Sequence, residues 1–547
     1  MTMQNTPLLM SRILGRGAAL DPNEEVVTLQ ATGTHRQTLK TTWDRANQVA
    51  AALHDHGIQV GDRVASFMWN NYRHLELYQA VPSMGAVLHT LNIRLSPTDL
   101  EYIINHAKSR VIFADEDLLP LLEPLFGKIP SVELLIICRH GEGGESTFGN
   151  CVDYEDFISA QPLVFAWPEI DEHSPMGLCY TSGTTGKPKG VMYTHRSTYL
   201  HTMAQAMTDS MGLSALDSLC GIVPMFHAMG WGLPFTASML GAKQVMPHKY
   251  MAPDRLLQLI VDEEVTISAG VPTIWQGIRL LLEADTQHKY DISQLQRLTC
   301  GGSAPPVSMM RWYWEKHGVE MIQGWGMTET NPLGTLSRKV AKRSHLRLTE
   351  DQQFDNIAKA GLPIPGLELE IFDENWQPLP HDGESVGELL IRGPWIAAEY
   401  YNDPQPEKFH NGWLVTGDVA KIDAEQYLII ADRSKDLIKS GGEWISSVDL
   451  ENHIVALPGV VQAAVVAQPH PKWDERPVAL VILAAGANIT RDLIIDHCGA
   501  IFAKWQLPDD VIFVQQIPLT STGKIDKKTI RANLEAEHYQ LPDIRRA

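Results

Sequence analysis

Apolar positions in the first third of the chain switch between two periods. Trp43, Ala46, Val49, Ala50 and Leu53 recur at three- and four-residue steps, the spacing of a helix with one buried stripe. Residues 57–61 begin and end on glycine and turn the chain. Val64-Ala65-Ser66-Phe67-Met68 then runs with almost no polar interruption, as a strand covered on both faces does. A second cycle opens at Ser96-Pro97-Thr98-Asp99, which supplies an N-cap, a proline at the first helical position and an acid in the first turn. The helix it predicts leads into Arg110-Val111-Ile112-Phe113-Ala114. Helices alternating with buried strands imply βαβ units and a largely parallel sheet. The rhythm returns over residues 256–271, where a helical stripe ends in Val265-Thr266-Ile267-Ser268-Ala269-Gly270.

From about residue 357 the pattern changes. Gly366-Leu367-Glu368-Leu369-Glu370-Ile371-Phe372 and Gly387-Glu388-Leu389-Leu390-Ile391-Arg392-Gly393 alternate between glycine and proline turns and predict a small antiparallel sheet or barrel. After Asp432 a compact mixed unit follows, with strands near 463–467, 478–483 and 511–514 and a helix near 492–504. The predicted fold class is α/β. A large N-terminal domain (1–431) of βαβ-type sheets carries a β-barrel-like subdomain at about 357–431, residue 432 is a hinge, and 433–547 form a small α+β C-terminal domain.

A chain of 547 residues exceeds the size at which one core stops growing, which agrees with several domains. With 44% hydrophobic and 20% charged residues it has the composition of an ordinary soluble globular protein. Its net charge of −20 argues against a nucleic-acid partner or a hold on anionic lipid, so an anionic ligand must be met by local lysines and backbone amides. The six cysteines show no paired C-x-x-C spacing and fit free thiols in a reducing compartment; no apolar leader is visible, and cytoplasm is the default location. Residues 218–242 contain no Asp, Glu, Lys or Arg. Pro224, Pro234, four glycines and His227 make them a poor membrane helix and a better pocket lining.

The sharpest chemical signal is Tyr180-Thr181-Ser182-Gly183-Thr184-Thr185-Gly186-Lys187-Pro188-Lys189-Gly190. Three glycines admit a ligand close to the backbone, and hydroxyls and ammoniums supply donors for a polyphosphate. It is not a Walker A loop, because Gly183 and Gly186 are too close together and Pro188 follows Lys187.

Further motifs come in order: Gln323-Gly324-Trp325-Gly326-Met327-Thr328-Glu329-Thr330, Trp413-Leu414-Val415-Thr416-Gly417-Asp418, residues 432–443, and Pro518-Leu519-Thr520-Ser521-Thr522-Gly523-Lys524. Together with the glycine/lysine loop they resemble the AMP-forming acyl-CoA synthetases, a superfamily that also holds luciferases and peptide-synthetase adenylation domains. The resemblance spans nearly the whole chain. It implies ATP, Mg2+, coenzyme A and a small carboxylic acid as reaction components, with an acyl-adenylate between two half-reactions. Neither half-reaction needs a protein nucleophile, so catalysis is positioning and charge stabilisation.

Residue by residue, the resemblance implies that Thr184 and Lys189 hold the β- and γ-phosphates, with Thr181, Ser182, Gly183, Thr185, Gly186 and Lys187 as further loop contacts. Glu329 and Thr184 are the expected metal ligands and Thr328 an α-phosphate contact. Gly302, Ser303 and Ala304, with Gln323, Gly324, Gly326 and Met327, border adenine. Trp325, where tyrosine is usual, offers a flat face to it. Asp418 and Arg433 address the ribose, and Lys524 is the expected adenylation lysine. Lys439 is a further expected catalytic residue, and Lys435 and Trp444 are expected cofactor contacts, in the motif after the hinge Asp432. Rotation there would withdraw Lys524 and bring in Gly441, Gly442 and Glu443 to form the coenzyme A channel, which makes the C-terminal domain mobile.

The resemblance also implies that His227, Trp231 and Gly301 border the acid. The apolar surroundings, with Met225, Phe226 and Met229 as deformable lining, favour an alkyl chain over an amino acid, whose ammonium would lie unpaired. His470-Pro471-Lys472-Trp473-Asp474-Glu475-Arg476-Pro477 resembles the medium-chain fatty acyl ligase branch, which includes methylmercaptopropionate ligases. A medium- to long-chain fatty acid is the expected substrate. Short-chain, methylthio or aryl acids, and a stand-alone enzyme loading a carrier protein, are the alternatives, and a non-catalytic nucleotide-binding protein is a rival of another class. By analogy the protein is a homodimer.

Overall fold

The computed structural model describes residues 2–141, 146–181, 187–433, 436–440, 443–484, 486–520, 524–536 and 538–539, the side chains of Arg433 and Glu443 excepted. The first predicted cycle is present. Helix Leu39–Asp55 packs beside strand Arg63–Phe67, and helix Pro97–Ala107, capped by Ser96 Oγ accepting from the Asp99 amide at 3.1 Å, leads into strand Val111–Asp115. These strands pair in parallel with each other and with Val87–Thr90 and Leu134–Cys138, inside a seven-stranded sheet whose edge is the hairpin Pro175–Tyr180 and Gly190–Thr194.

A second, nine-stranded sheet holds Ser218–Gly221, Lys243–Met246, Ile267–Gly270, Arg297–Cys300 and Glu320–Gly326, again parallel. The uncharged stretch 218–242 supplies one of its strands, a short turn and the helix Leu233–Leu240, all largely buried. No helix among the described residues is long and apolar enough to cross a membrane.

Strands Glu368–Phe372, Gly387–Arg392, Phe409–His410, Trp413–Ile422 and Leu428–Arg433 make the expected small antiparallel sheet. Leu362–Pro363, just before it, pairs instead with the nine-stranded sheet. The last unit is a five-stranded mixed sheet in which Val460–His470 and Asp474–Leu483 are longer than their apolar cores predict. Its helix Arg491–Gly499 ends sooner than expected, and Lys504–Gln506 forms a separate turn. Hairpin pairing carries polar residues into the strands, a tertiary effect that local hydrophobicity does not register.

Candidate functional site

The sheets and the C-terminal unit meet around a cavity of about 1810 Å3. One wall is the edge hairpin. Thr181 N–H donates to Lys189 O at 2.9 Å and Lys189 N–H to Thr181 Oγ1 at 3.2 Å, closing the base of the glycine/lysine stretch. Ser182, Gly183, Thr184, Thr185 and Gly186 lie outside the described residues. Thr181, Lys187 and Lys189 line the cavity. Lys187 Nζ stands 4.7 Å from the Tyr102 ring centre, and Lys189 Nζ stands 5.0 Å from that of Tyr400 while donating to Gln405 Oε1.

The second wall comes from strands Arg297–Cys300 and Glu320–Gly326. Because they are parallel neighbours, Gly301, Gly302, Ser303 and Ala304 leave the sheet beside Gln323, Gly324, Trp325, Gly326 and Met327, and all line the cavity. This is the carboxyl-end crevice where parallel sheets bind ligands. Thr328 and Glu329 follow in a buried turn. Tyr193 Oη donates to Thr328 O at 2.7 Å, Ala397 N–H to Glu329 O at 2.8 Å, and Tyr400 Oη to Glu329 Oε1 at 2.6 Å. Burial, then the Glu329 charge, pushes the Tyr400 phenol far above its usual range, so it stays a donor to the carboxylate. Tyr193, Tyr400 and Gln405 carry no motif of their own, and the sequence reading missed them.

The cavity end at Trp231 and Gly301 is built on close approach. A Cβ on Gly301 would lie 2.8 Å from Cη2 of Trp231, so the indole packs flat only because that position has no side chain. Gly302 holds φ at +86°, and a Cβ there would lie 3.2 Å from Lys524 Cε. The C-terminal unit thus delivers Lys524 to the cavity wall at Gly302. Burial pushes the His227 imidazole down to about 3, with Lys524 and Arg94 adding to the effect, so the ring is neutral at pH 7.

Residues 228–232 form a left-handed turn, with φ of +42° at Ala228, +47° at Met229 and +57° at Trp231. It turns Met225, Phe226 and Met229 into the core, where they are 3%, 4% and 1% exposed. Those three are therefore packing residues and not the deformable lining expected of them. His227, Ala228 and Trp231 are the described residues of the segment that reach the cavity.

At the cavity end near Asp418, Trp325 does more than offer a face. Its Nε1–H donates to Asp418 Oδ2 at 2.8 Å, tying the nine-stranded sheet to the antiparallel one. Losing a hydrogen bond to a charged group costs about 1.5–3 kcal/mol, so Trp325→Phe is expected to raise the KM for ATP at least about tenfold. ATP saturation curves check this, and an unchanged KM would remove the positioning role.

Asp432 and Trp444 also line the cavity. Asp432 is buried and its Oδ2 accepts from the amide (2.9 Å) and hydroxyl of Ser447, the first residue of helix Ser447–Val455. Lys439 is exposed on the hairpin Ile438–Ser440 and Glu443–Ile445, its Nζ 5.8 Å from the Trp444 ring centre, and is not among the residues brought to the cavity. Lys435, Gly441 and Gly442 lie outside the described residues, as do the side chains of Arg433 and Glu443.

Two family models match the chain: AMP-binding enzyme over residues 15–401, and AMP-binding enzyme C-terminal domain over residues 449–524. A medium-chain-fatty-acid–CoA ligase of Ectopseudomonas oleovorans is 40% identical over 97% of this chain and 96% of its own length. A long-chain-fatty-acid–CoA ligase of Thermus thermophilus is 43% identical over 97% of this chain and 96% of its own. A 3-methylmercaptopropionyl-CoA ligase of Ruegeria lacuscaerulensis is 41% identical over 97% and 98%. Among solved structures, the anthranilate CoA ligase AuaEII in complex with anthranoyl-AMP superposes with a TM-score of 0.86 at 27% identity, covering 98% of this chain and 99% of that one.

Proposed function

The chain belongs to the AMP-binding enzyme family, and from that premise we propose that it joins a medium- to long-chain fatty acid to coenzyme A. Ligation of an acid to coenzyme A is what its relatives' names describe. The choice of acid rests on one observation: the cavity end beside Gly301 is walled by Trp231 and a neutral His227, with Lys524 approaching it and Arg94 also near enough to act on the imidazole. Such an end accepts a carboxylate with an uncharged chain behind it.

In the first half-reaction a carboxylate oxygen attacks the α-phosphorus of ATP while the bond to the bridging oxygen breaks and pyrophosphate departs. Lys524 would hold the carboxylate and the α-phosphate together, Thr328 would contact that phosphate, and Lys189 would receive the departing end. Asp418, steadied by Trp325, would accept from a ribose hydroxyl. In the second half-reaction the coenzyme A sulfur bonds to the acyl carbon and the carbon–oxygen bond to AMP breaks. Glu329, a buried acid at the cavity wall with one oxygen held by Tyr400, is the kind of hard oxygen donor that magnesium takes alongside phosphates and water. When bound, that ion would offset charge on the phosphates.

Separate half-reactions need the C-terminal unit in two positions, with Asp432 as the pivot and the segment around Trp444 entering as Lys524 leaves. Asp432→Pro, which fixes φ, is expected to slow thioester formation more than adenylation. Equal losses in both would count against the pivot. The reading extends to a cytoplasmic homodimer, which a one-chain molar mass in solution would overturn.

Acid-dependent ATP–pyrophosphate exchange across saturated acids of graded length, benzoate and a methylthio acid tests the substrate class. A maximum among medium or long saturated acids is expected. A maximum on benzoate or on the methylthio acid would replace the fatty-acid reading.

A further inference from the structure

Away from the cavity, two imidazoles and a carboxylate meet where the two large sheets adjoin. Asp115 ends strand Val111–Asp115, His140 follows Leu134–Cys138, and His248 follows Lys243–Met246 of the other sheet. One donor atom from each lies within 4.8 Å of the other two. His140 Nε2 is 3.0 Å from Asp115 Oδ1, and His248 Nε2 is 3.9 Å from Asp115 Oδ2. Asp115 is 0% exposed and His248 4%.

Hydrogen bonding accounts for Asp115, which accepts from the Trp69 amide at 2.8 Å and from Asn71 Nδ2 at 2.9 Å. It does not account for His248. Its Nε2 is buried with no hydrogen-bond partner, a state that costs about 1–3 kcal/mol. Its backbone is left-handed, with φ at +54°, and is held there by a 2.9 Å bond from its amide to Asn70 O. A strained backbone therefore presents an unsatisfied nitrogen to a carboxylate and a second imidazole. Arg73 Nη1 lies 3.5 Å from His140 Nδ1, a long contact beside its 3.0 Å bonds to Arg139 O and, through Nε, to Glu155 Oε1.

We propose that His140, His248 and Asp115 bind a first-row transition-metal dication such as zinc, with solvent completing the shell, as a structural staple between the two sheets. Ligands at about 2.0–2.2 Å in a tetrahedral shell stand roughly 3.4 Å apart, inside the 4.8 Å within which one donor atom of each residue lies. Two imidazoles with one carboxylate favour zinc, cobalt or nickel over magnesium or calcium, which prefer all-oxygen shells. Trp69 and Asn71 would orient the carboxylate, the outer-shell support such sites carry. None of the three residues lines the large cavity, so this ion is separate from the one that accompanies ATP.

The test is a cobalt(II) titration of the full chain, dialysed against chelator and free of nucleotide. Visible ligand-field bands of a tetrahedral site, saturating at a single ion per chain and lost on adding zinc, are expected. His248→Asn suits the left-handed backbone, as asparagine is among the residues most often found there. It and His140→Ala are each expected to weaken cobalt binding about tenfold or more while retaining acid-dependent pyrophosphate exchange. Absence of stoichiometric binding by the unaltered chain at micromolar cobalt, or binding unchanged in both variants, would overturn the proposal.

Discussion

Replacing Lys524 with alanine is expected to lower acid-dependent ATP–pyrophosphate exchange about 10²- to 10³-fold, the cost of removing one preorganised charge contact to a transition state. The position of the residue motivates the size of the effect. Its side chain reaches from the C-terminal unit to Gly302, and its charge is felt at His227. The same variant supplied with preformed acyl-adenylate and coenzyme A should make thioester within a few-fold of the parent, because the proposed rotation removes this lysine from that step. Lys524→Arg keeps the charge but not the point geometry and should recover only part of the loss. Unchanged exchange in Lys524→Ala would sink the assignment. Equal loss in both half-reactions would argue that the lysine serves the fold or binding in general.

Glu329→Gln is expected to be the next most damaging change, with exchange falling on the order of 10²-fold and the magnesium concentration for half-maximal rate rising. The substitution keeps shape and an acceptor for Tyr400 Oη while removing the negative charge. The backbone that places this residue should survive, since Tyr193 and Ala397 grip the Thr328–Thr330 turn through the main-chain oxygens of Thr328 and Glu329. Magnesium titrations of exchange check this. A variant that loses rate at every magnesium concentration by the same factor would separate Glu329 from the metal.

Much of this arrangement was legible in the chain because it is encoded locally. The capped start at Ser96 and Pro97, the strand at residues 111–115 and the alternation that builds the antiparallel sheet each depend on neighbours within a few positions. The motifs around Lys189, Trp325 and Lys524 are likewise contiguous in the chain, and all three reach the cavity. What escaped notice is long-range. Trp325 meets Asp418 across 93 positions, and Tyr400 meets Glu329 across 71. Neither tyrosine nor tryptophan signals its partner, because each pairing follows from which strands the sheets set side by side. The inward turning of Met225, Phe226 and Met229 had no local signal either. Alanine, methionine and tryptophan disfavour a left-handed backbone, so only surrounding packing selects it.

That left-handed turn also decides how the acid pocket can be re-engineered. Each non-glycine residue held there carries roughly 1–2 kcal/mol of conformational cost, and Ala228, Met229 and Trp231 carry it in near succession. A glycine introduced at position 231 would therefore delete the indole and relax the backbone together, and a longer pocket could not be told from a looser one. Trp231→Ala opens the same volume while leaving the backbone under similar load. Pairing the two variants would separate a change in reach from a change in rigidity, and chain-length preference in this protein becomes a property of main-chain geometry as much as of side-chain size.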